Sequence, residues 1–120
     1  MEFTDTHAHL YDEAFISEED QAVERAVRAG VTRMILPDID SQTREAMFSL
    51  ADRHEGKLFP CLGLHPTSIG ADWEKELAAL EGWLSRKIYA IGEIGMDCYW
   101  SKEFIRVFLL YTSRSQRDKR

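Results

Sequence analysis

The sequence predicts an α/β fold built on a parallel sheet, because short apolar runs alternate along it with segments of helical spacing. Four apolar runs are each followed by a turn: 2–6, 32–36, 57–62 and 87–91. Their starts lie about 29 residues apart, and eight such units would need roughly 230 residues, as in a (β/α)8 barrel. The 120 residues have room for four units, which predicts the front half of a TIM-type barrel. A small open four-stranded sheet is the alternative.

Three segments of helical spacing separate these runs. The first predicted helix begins at the capping residue Ser17 and ends at Gly30, and its apolar face comprises Ala22, Val23, Ala26 and Val27. The second is predicted over about 41–54, ends before Gly56 and buries Ala46, Met47, Leu50 and Ala51. The third is capped by Asp72 and carries Leu77, Leu80 and Leu84 at helical spacing.

The end of the chain does not follow this pattern. Residues 104–111 are apolar at every position but one and have no period of 3.6, and residues 113–120 are polar and basic. We therefore divide the chain into a barrel portion, 1–106, and an atypical apolar run with a disordered basic tail, 107–120. The end is either a short buried strand with that tail or, as we favour, a terminus altered by truncation or a shifted reading frame.

Composition limits the classes of function. The net charge is −6, with −9 in residues 1–112 and +3 in residues 113–120. An acidic body is a poor footprint for passive nucleic-acid binding, so a protein of this kind that handles phosphodiesters needs a bound divalent cation to attract them. No run approaches the roughly 18 apolar residues of a membrane span. Two cysteines outside a Cys-x-x-Cys pair predict a reduced, cytoplasmic compartment.

Side chains suited to metal binding or acid–base chemistry follow all four predicted strands. The carboxyl ends of parallel strands share one face, so these side chains are expected to converge there. The residues are Asp5, His7 and His9 after the first run, Asp38 after the second, His65 after the third, and Glu93 and Asp97 after the fourth. This convergence is stronger evidence for a site than any single motif.

His7 and His9 are two residues apart, so on an extended backbone both imidazoles project to one face and can hold one ion. Imidazole suits zinc, manganese or iron, and added carboxylates widen the choice towards harder ions. Glu93 lies between Gly92 and Gly95, where it could bridge two cations or orient a water. The alternative interpretations are that His7 and His9 are polar residues capping a strand and that Glu93 is an exposed loop residue.

The remaining candidates have weaker signals. His65 is either a substrate-facing acid or hydrogen-bond donor, or a structural histidine. Asp5 could orient an imidazole or complete the site, and Asp38 and Asp40 are interpreted as turn and helix-cap residues. Tyr99 and Trp100 either stack on a base or pack within a loop.

Three motifs together resemble the TatD family of metal-dependent hydrolases. They are Asp-Thr-His-Ala-His-Leu at 5–10, Gly-Leu-His-Pro at 63–66 and Gly-Glu-Ile-Gly-Met-Asp at 92–97. The resemblance covers residues 2–106 and only the front half of a typical member. It implies a TIM-type barrel of the metal-dependent hydrolase superfamily, with one or two divalent ions (magnesium, manganese or zinc) at the rim.

The resemblance also implies deoxyribonuclease activity, with DNA as substrate and single strands or 3′ ends preferred. It assigns His7 and His9 as ligands of one ion, Glu93 as a shared ligand and catalytic residue, and His65 as a catalytic and substrate-binding residue near the scissile phosphate. The family draws two further histidines and an aspartate from its second half, which these 120 residues do not contain. We therefore expect this chain alone to be weak or inactive.

Two other functions remain open at this point. The same rim could serve an amidohydrolase or a phosphatase. A half-barrel could instead be non-catalytic and self-associate through the exposed edges of its first and fourth strands.

Overall fold

A three-stranded parallel sheet forms the centre of the computed structural model, which describes residues 1–95. The strands are β1 (Phe3–Asp5), β2 (Val31–Pro37) and β3 (Leu58–Cys61), side by side in chain order. The helices are α1 (Glu19–Arg28) between β1 and β2, α2 (Ser41–Arg53) between β2 and β3, and α3 (Trp73–Glu81) after β3. Strands that neighbour one another in chain order and are joined by helices are the repeating unit of a (β/α)8 barrel. The predicted α/β alternation is confirmed.

The register of the sheet determines where each strand ends relative to its neighbours. β2 and β3 end level with each other, since Pro37 pairs with Cys61. β1 ends earlier, with Asp5 opposite Met34. The chain beyond β1 nevertheless stays alongside β2, because the Ala8 amide donates to the Ile35 carbonyl at 2.9 Å. The segment after β1 therefore runs along β2 to the same edge.

The fourth predicted strand is present only as a single parallel bridge between Leu62 and Ile91. Three backbone hydrogen bonds hold this segment beside β3: Tyr89 N to Pro60 O at 3.2 Å, Leu62 N to Ala90 O at 3.2 Å and Gly92 N to Leu62 O at 2.7 Å. The position and direction of the segment agree with the prediction. A continuous strand over 87–91 does not form in the described residues.

The core lies between the sheet and the two connecting helices. Alternate residues of β2 point into it, so Met34 and Leu36 are buried while Arg33 is exposed. Other buried members come from α1, α2, β3 and the residue that follows β3: Val23, Met47, Phe48, Leu50, Leu58 and Leu62. β1 itself is exposed at all three positions.

Several helix predictions hold and three are wrong. The predicted face of α1 is confirmed, with Val23 at 1% exposure, and Gly30 ends the helix with a positive φ of 97°. Ser17 does not cap α1: it has a φ of 66°, and the helix begins two residues later. Ala46 is exposed, because Arg44 and Phe48 occupy the buried face of α2 instead.

The third wrong prediction concerns Leu84. It lies beyond the end of α3 and is 53% exposed. Asp72 does precede α3, but its side chain makes no capping hydrogen bond there.

Some predictions fall on residues that the structure does not describe. The structure does not describe the division at residue 106, the tail 107–120 or the candidates Asp97, Tyr99 and Trp100. Within residues 1–95, no helix is long and apolar enough to cross a membrane. The cytoplasmic location stays a prediction.

Candidate metal centre

The two predicted histidine ligands and Glu93 converge at the carboxyl edge of the sheet. His7 and His9 follow β1, and Glu93 follows the bridge segment beside β3. The two histidine Nε2 atoms are 3.0 Å apart. From Glu93, one carboxylate oxygen is 3.5 Å from His7 Nε2 and the other is 3.4 Å from His9 Nε2. One ligand atom from each residue lies within 4.8 Å of the other two.

These separations fit a common ion. Zinc lies about 2.0–2.2 Å from nitrogen and oxygen ligands, so two ligands of one ion are at most roughly 4.4 Å apart. The three measured distances, from 3.0 to 3.5 Å, are all below that limit. Two imidazoles and a carboxylate are also the donor types that zinc and manganese accept. The residues present therefore fit a divalent metal.

His65 is the fourth side chain at this edge. Its Nε2 lies 3.6 Å from a Glu93 oxygen, and its Nδ1 faces the backbone amide and hydroxyl of Thr67. The His65 amide donates to the Ile39 carbonyl at 2.7 Å, which ties the residue to the segment after β2. The imidazole therefore lies beside the three candidate ligands.

Electrostatics favour the ligand form of His9. Burial lowers the pKa of His9, opposed by the nearby Glu93 carboxylate and reinforced by His7. Only a neutral imidazole has a lone pair for a metal, so a lowered pKa keeps His9 ready to bind. Burial also raises the pKa of the Tyr11 hydroxyl, which contacts the His9 ring and thus keeps its proton.

Asp5 does not play the predicted role beside an imidazole. Its carboxylate accepts a hydrogen bond from the backbone amide of His7 at 3.0 Å. It is exposed, and it is not part of the His7–His9–Glu93 group. Its effect is to fix the turn of the backbone between β1 and the two histidines.

Asp38 was wrongly interpreted as a turn residue. It is fully buried, and its carboxylate accepts hydrogen bonds from Arg44 Nε at 2.6 Å and from the Gly63 amide at 3.1 Å. Arg44 in turn donates to the Gly63 carbonyl at 3.2 Å. Burial raises the pKa of Asp38, and the hydrogen bonds from Arg44 and Gly63 oppose that shift. Both polar groups of Gly63 are thereby held by one buried ion pair.

The sequence contained part of this signal, since Asp38 follows β2 at the same place where the other candidate residues follow their strands. Asp40, by contrast, caps α2 as predicted, because its carboxylate accepts from the Gln42 amide at 3.0 Å.

Two glycines allow the backbone near Glu93 to pack closely. A Cβ added at Gly63 would lie 2.7 Å from the Glu93 carbonyl oxygen and 3.1 Å from its nitrogen. A Cβ added at Gly92 would lie 2.9 Å from the Cys61 carbonyl oxygen. Neither glycine has a positive φ, so close approach is the reason for the missing side chain. The backbone of Gly63, held by hydrogen bonds to Asp38 and Arg44, therefore packs directly against the backbone of Glu93.

Comparison with known proteins identifies the family. The family model described as TatD related DNase matches residues 4–108. The chain belongs to the TatD family. Among TatD relatives, the metal-dependent hydrolase YjjV of Escherichia coli K12 is 33% identical over 100 residues, which cover 81% of this chain and 38% of YjjV. The 3′-5′ ssDNA/RNA exonuclease TatD of Erwinia billingiae is 33% identical over 95 residues, covering 78% of this chain and 36% of that protein.

Solved TatD structures confirm the predicted half-barrel. The crystal structure of YjjV superposes with a TM-score of 0.81 at 27% identity, covering 96% of this chain and 45% of YjjV. A TatD family hydrolase from Entamoeba histolytica shares the fold, with a TM-score of 0.68 at 23% identity over 98% of this chain and 46% of that chain. This TatD chain thus spans less than half the length of the relatives it matches. Metal-dependent hydrolysis is part of the name of YjjV, and the individual roles of His7, His9, His65 and Glu93 in this chain stay predictions.

Proposed function

We propose that this chain is the N-terminal part of a divalent-metal-dependent hydrolase that cleaves phosphodiester bonds in DNA. The observation that carries the proposal is the meeting of His7, His9 and Glu93 donor atoms within 4.8 Å, with His65 beside them. These side chains come from three separate segments of the fold: the segment after β1, the segment after β3 and the segment after the bridge. The three ligands would hold one ion.

Each side chain has a distinct task in this proposal. His7 and His9 each offer an imidazole nitrogen, and Glu93 offers one oxygen towards each histidine. A bound divalent ion supplies Lewis-acid polarisation of a phosphoryl oxygen and lowers the pKa of a water towards about 7. His65 is placed to contact the same substrate group. The donor set of two imidazoles and one carboxylate favours manganese or zinc over magnesium, which prefers oxygen ligands.

The names of several relatives support DNA as the substrate class. Relatives carry the names 3′-5′ ssDNA/RNA exonuclease, in two Erwinia species, and deoxyribonuclease TATDN3, in Homo sapiens. The net charge of −6 gives the protein itself little attraction for a polyanion, which leaves the metal centre as the place where a phosphate would bind. We propose single-stranded DNA or a 3′ end as the preferred form.

The chain alone is proposed to be weak or inactive. It covers 36–38% of the length of YjjV and of the Erwinia billingiae exonuclease, and three ligands leave an ion incompletely enclosed. Measurements of hydrolysis therefore use the longest natural protein that carries this sequence, beside the 120-residue chain. Metal binding can be measured on either.

The test compares metal binding and hydrolysis in matched variants. We expect His9→Ala/Glu93→Ala to abolish manganese or zinc binding in calorimetry and metal-dependent nucleotide release from single-stranded DNA. The control His54→Gln/Glu45→Ala replaces the same residue types away from the site and should change neither. DNA hydrolysis that survives the first double substitution would refute the proposal.

A different scissile bond is the second candidate. Three relatives are named as metal-dependent hydrolases without a substrate: YjjV, YabD from Bacillus subtilis and MJ1582 from Methanocaldococcus jannaschii. A substrate panel separates the candidates: hydrolysis of an amide, lactone or phosphate monoester, with DNA left intact, would favour an amidohydrolase or a phosphatase.

Self-association is the third candidate and rests on β1. This strand has one sheet neighbour, β2, among the described residues, and Phe3 within it is 53% exposed. If copies of the chain pair through this edge, light scattering should give the mass of a dimer, and Phe3→Lys should return it to a monomer. A monomeric mass for the unaltered chain at high concentration would contradict the idea.

A further inference from the structure

Hydrogen-bond partners determine which nitrogen of His9 carries the proton. The Tyr11 hydroxyl donates to the carbonyl oxygen of Pro37, which can only accept. A phenol has one proton, so towards His9 Nδ1, 3.0 Å away, the Tyr11 oxygen must act as the acceptor. His9 therefore carries its proton on Nδ1. In the neutral ring this leaves a lone pair on Nε2, the atom that faces His7 and Glu93.

His65 has the opposite arrangement. The backbone N–H of Thr67 donates to His65 Nδ1 at 3.2 Å, and the Thr67 hydroxyl lies 2.6 Å from the same nitrogen. A backbone N–H cannot accept, so Nδ1 holds the lone pair and the proton of the neutral ring is on Nε2. That Nε2–H lies 3.6 Å from a Glu93 oxygen.

We infer that Tyr11 and Thr67 are positioning residues that hold the two histidines beside Glu93 in opposite tautomers, one to bind a cation and the other to donate a hydrogen bond. His9 presents a lone pair, and His65 presents an N–H to an anionic phosphoryl oxygen. The assignment of the phosphoryl group rests on the proposed function. The assignment of the two tautomers does not depend on the proposed function, because it follows from the hydrogen-bond partners of the two imidazole rings alone.

The hydrogen-bond partners of Nδ1 determine which of the neighbouring imidazoles can bind a metal through Nε2. If His65 bound a metal through Nε2, its proton would have to move to Nδ1, where it would point at the Thr67 N–H. His9 meets no such conflict, since its Nδ1–H already has an acceptor. Tyr11 is only 5% exposed, so water cannot easily replace its hydroxyl as that acceptor. Groups that orient a metal-binding histidine in this way typically contribute 10–100-fold to metal affinity.

The direct test is nitrogen NMR of the histidine-labelled chain at about pH 8, where imidazole is ordinarily neutral. We expect the Nδ1–H form for His9 and the Nε2–H form for His65. On zinc addition, His9 Nε2 should show the shift of a coordinated nitrogen while His65 keeps its Nε2–H. An Nε2–H form of His9 in the unaltered chain, or loss of the His65 Nε2–H on zinc binding, would overturn the inference.

Variants test the positioning role of Tyr11. Tyr11→Phe removes only the hydroxyl, so we expect His9 to show a mixture of tautomers and zinc affinity to fall about 10–100-fold. Tyr89→Phe is the matched control at a tyrosine that is 48% exposed, and it should change neither quantity. Unchanged zinc affinity in Tyr11→Phe would contradict the role. If this variant does not fold, the spectra of the unaltered chain still decide the tautomers.

Thr67 is tested by a different readout. Thr67→Val removes the hydroxyl, one of the two groups that hold His65 Nδ1, so kcat for DNA should fall in the longest protein that carries the chain. Zinc affinity should remain unchanged, because His65 is not a ligand in this inference. Thr67→Ser should restore kcat, and a serine variant as slow as the valine variant would contradict the role of the hydroxyl. Absence of DNA hydrolysis in the unaltered protein would instead count against the proposed function, since the NMR test requires no substrate.

Discussion

Replacing Gly63 with alanine should weaken metal binding while the chain remains folded. The backbone of Gly63 does not have a positive φ, so alanine is compatible with its local conformation. The obstacle is the Glu93 carbonyl oxygen, 2.7 Å from the position of the new Cβ. Ordinary contact begins near 3.4 Å, so one of the two segments has to move by about 0.7 Å.

The Glu93 segment is the one expected to move. The Gly63 peptide is held on both sides by the buried pair of Asp38 and Arg44, whereas Glu93 follows a single bridge. Metal–ligand distances tolerate only about 0.2 Å of deviation, so a displacement of that size takes the carboxylate out of range. We expect a loss of about 10–100-fold in metal affinity, or about 1.4–2.7 kcal/mol.

Calorimetric titration with zinc or manganese measures this loss, with urea unfolding to confirm that the variant is folded. Gly82→Ala is the matched control, since its Cβ would meet nothing closer than the Ala79 carbonyl at 3.4 Å. The control should bind metal as the unaltered chain does. A folded Gly63→Ala chain that binds metal within twofold of the unaltered chain would refute the claim that this contact positions Glu93.

Two further predictions concern stability. Arg44→Met leaves the Asp38 carboxylate buried without its partner, so the free energy of unfolding measured in urea should fall by about 3–5 kcal/mol. A fall of less than about 1 kcal/mol would contradict a stabilising role of this ion pair. Hydrogen bonds from His54 and then Arg53 lower the pKa of Asp20, so its contribution is present above the unfolded value of about 3.9 and is lost as pH falls through the folded value. Urea unfolding between about pH 6 and pH 2 should therefore show a decline in stability that is smaller in Asp20→Asn, and equal declines would contradict it.

The parts of the fold that were predictable are those set by local pattern. The buried face of α1 follows from its helical spacing, and the strands follow from apolar runs bounded by turns. Ser17 failed as a cap because the capping signal depends on residue type, while its φ of 66° depends on the path of the chain before α1. Ala46 failed for a related reason, since burial of Arg44 rotates the buried face of α2.

The site was predictable to the extent that its residues follow strands. His7, His9 and Glu93 come together because parallel strands end at one edge, which the sequence indicates. The sequence did not predict the roles of three residues at the site: Tyr11, Asp38 and Thr67. Their function depends on which atoms of distant segments they meet, as when the Tyr11 hydroxyl meets the carbonyl of Pro37.

Glu93 is therefore the ligand on which the geometry of the centre depends most. The two histidines share one short segment after β1, so the 3.0 Å separation of their Nε2 atoms is determined locally. Glu93 reaches them only if the segment beside β3 is in register and the Gly63 peptide is in place. Changes along that route, at Gly63, Asp38 or Arg44, should reduce metal affinity although none of these residues belongs to the His7–His9–Glu93 group. The metal affinity of such a site depends on the buried residues that position Glu93 as well as on the three candidate ligands.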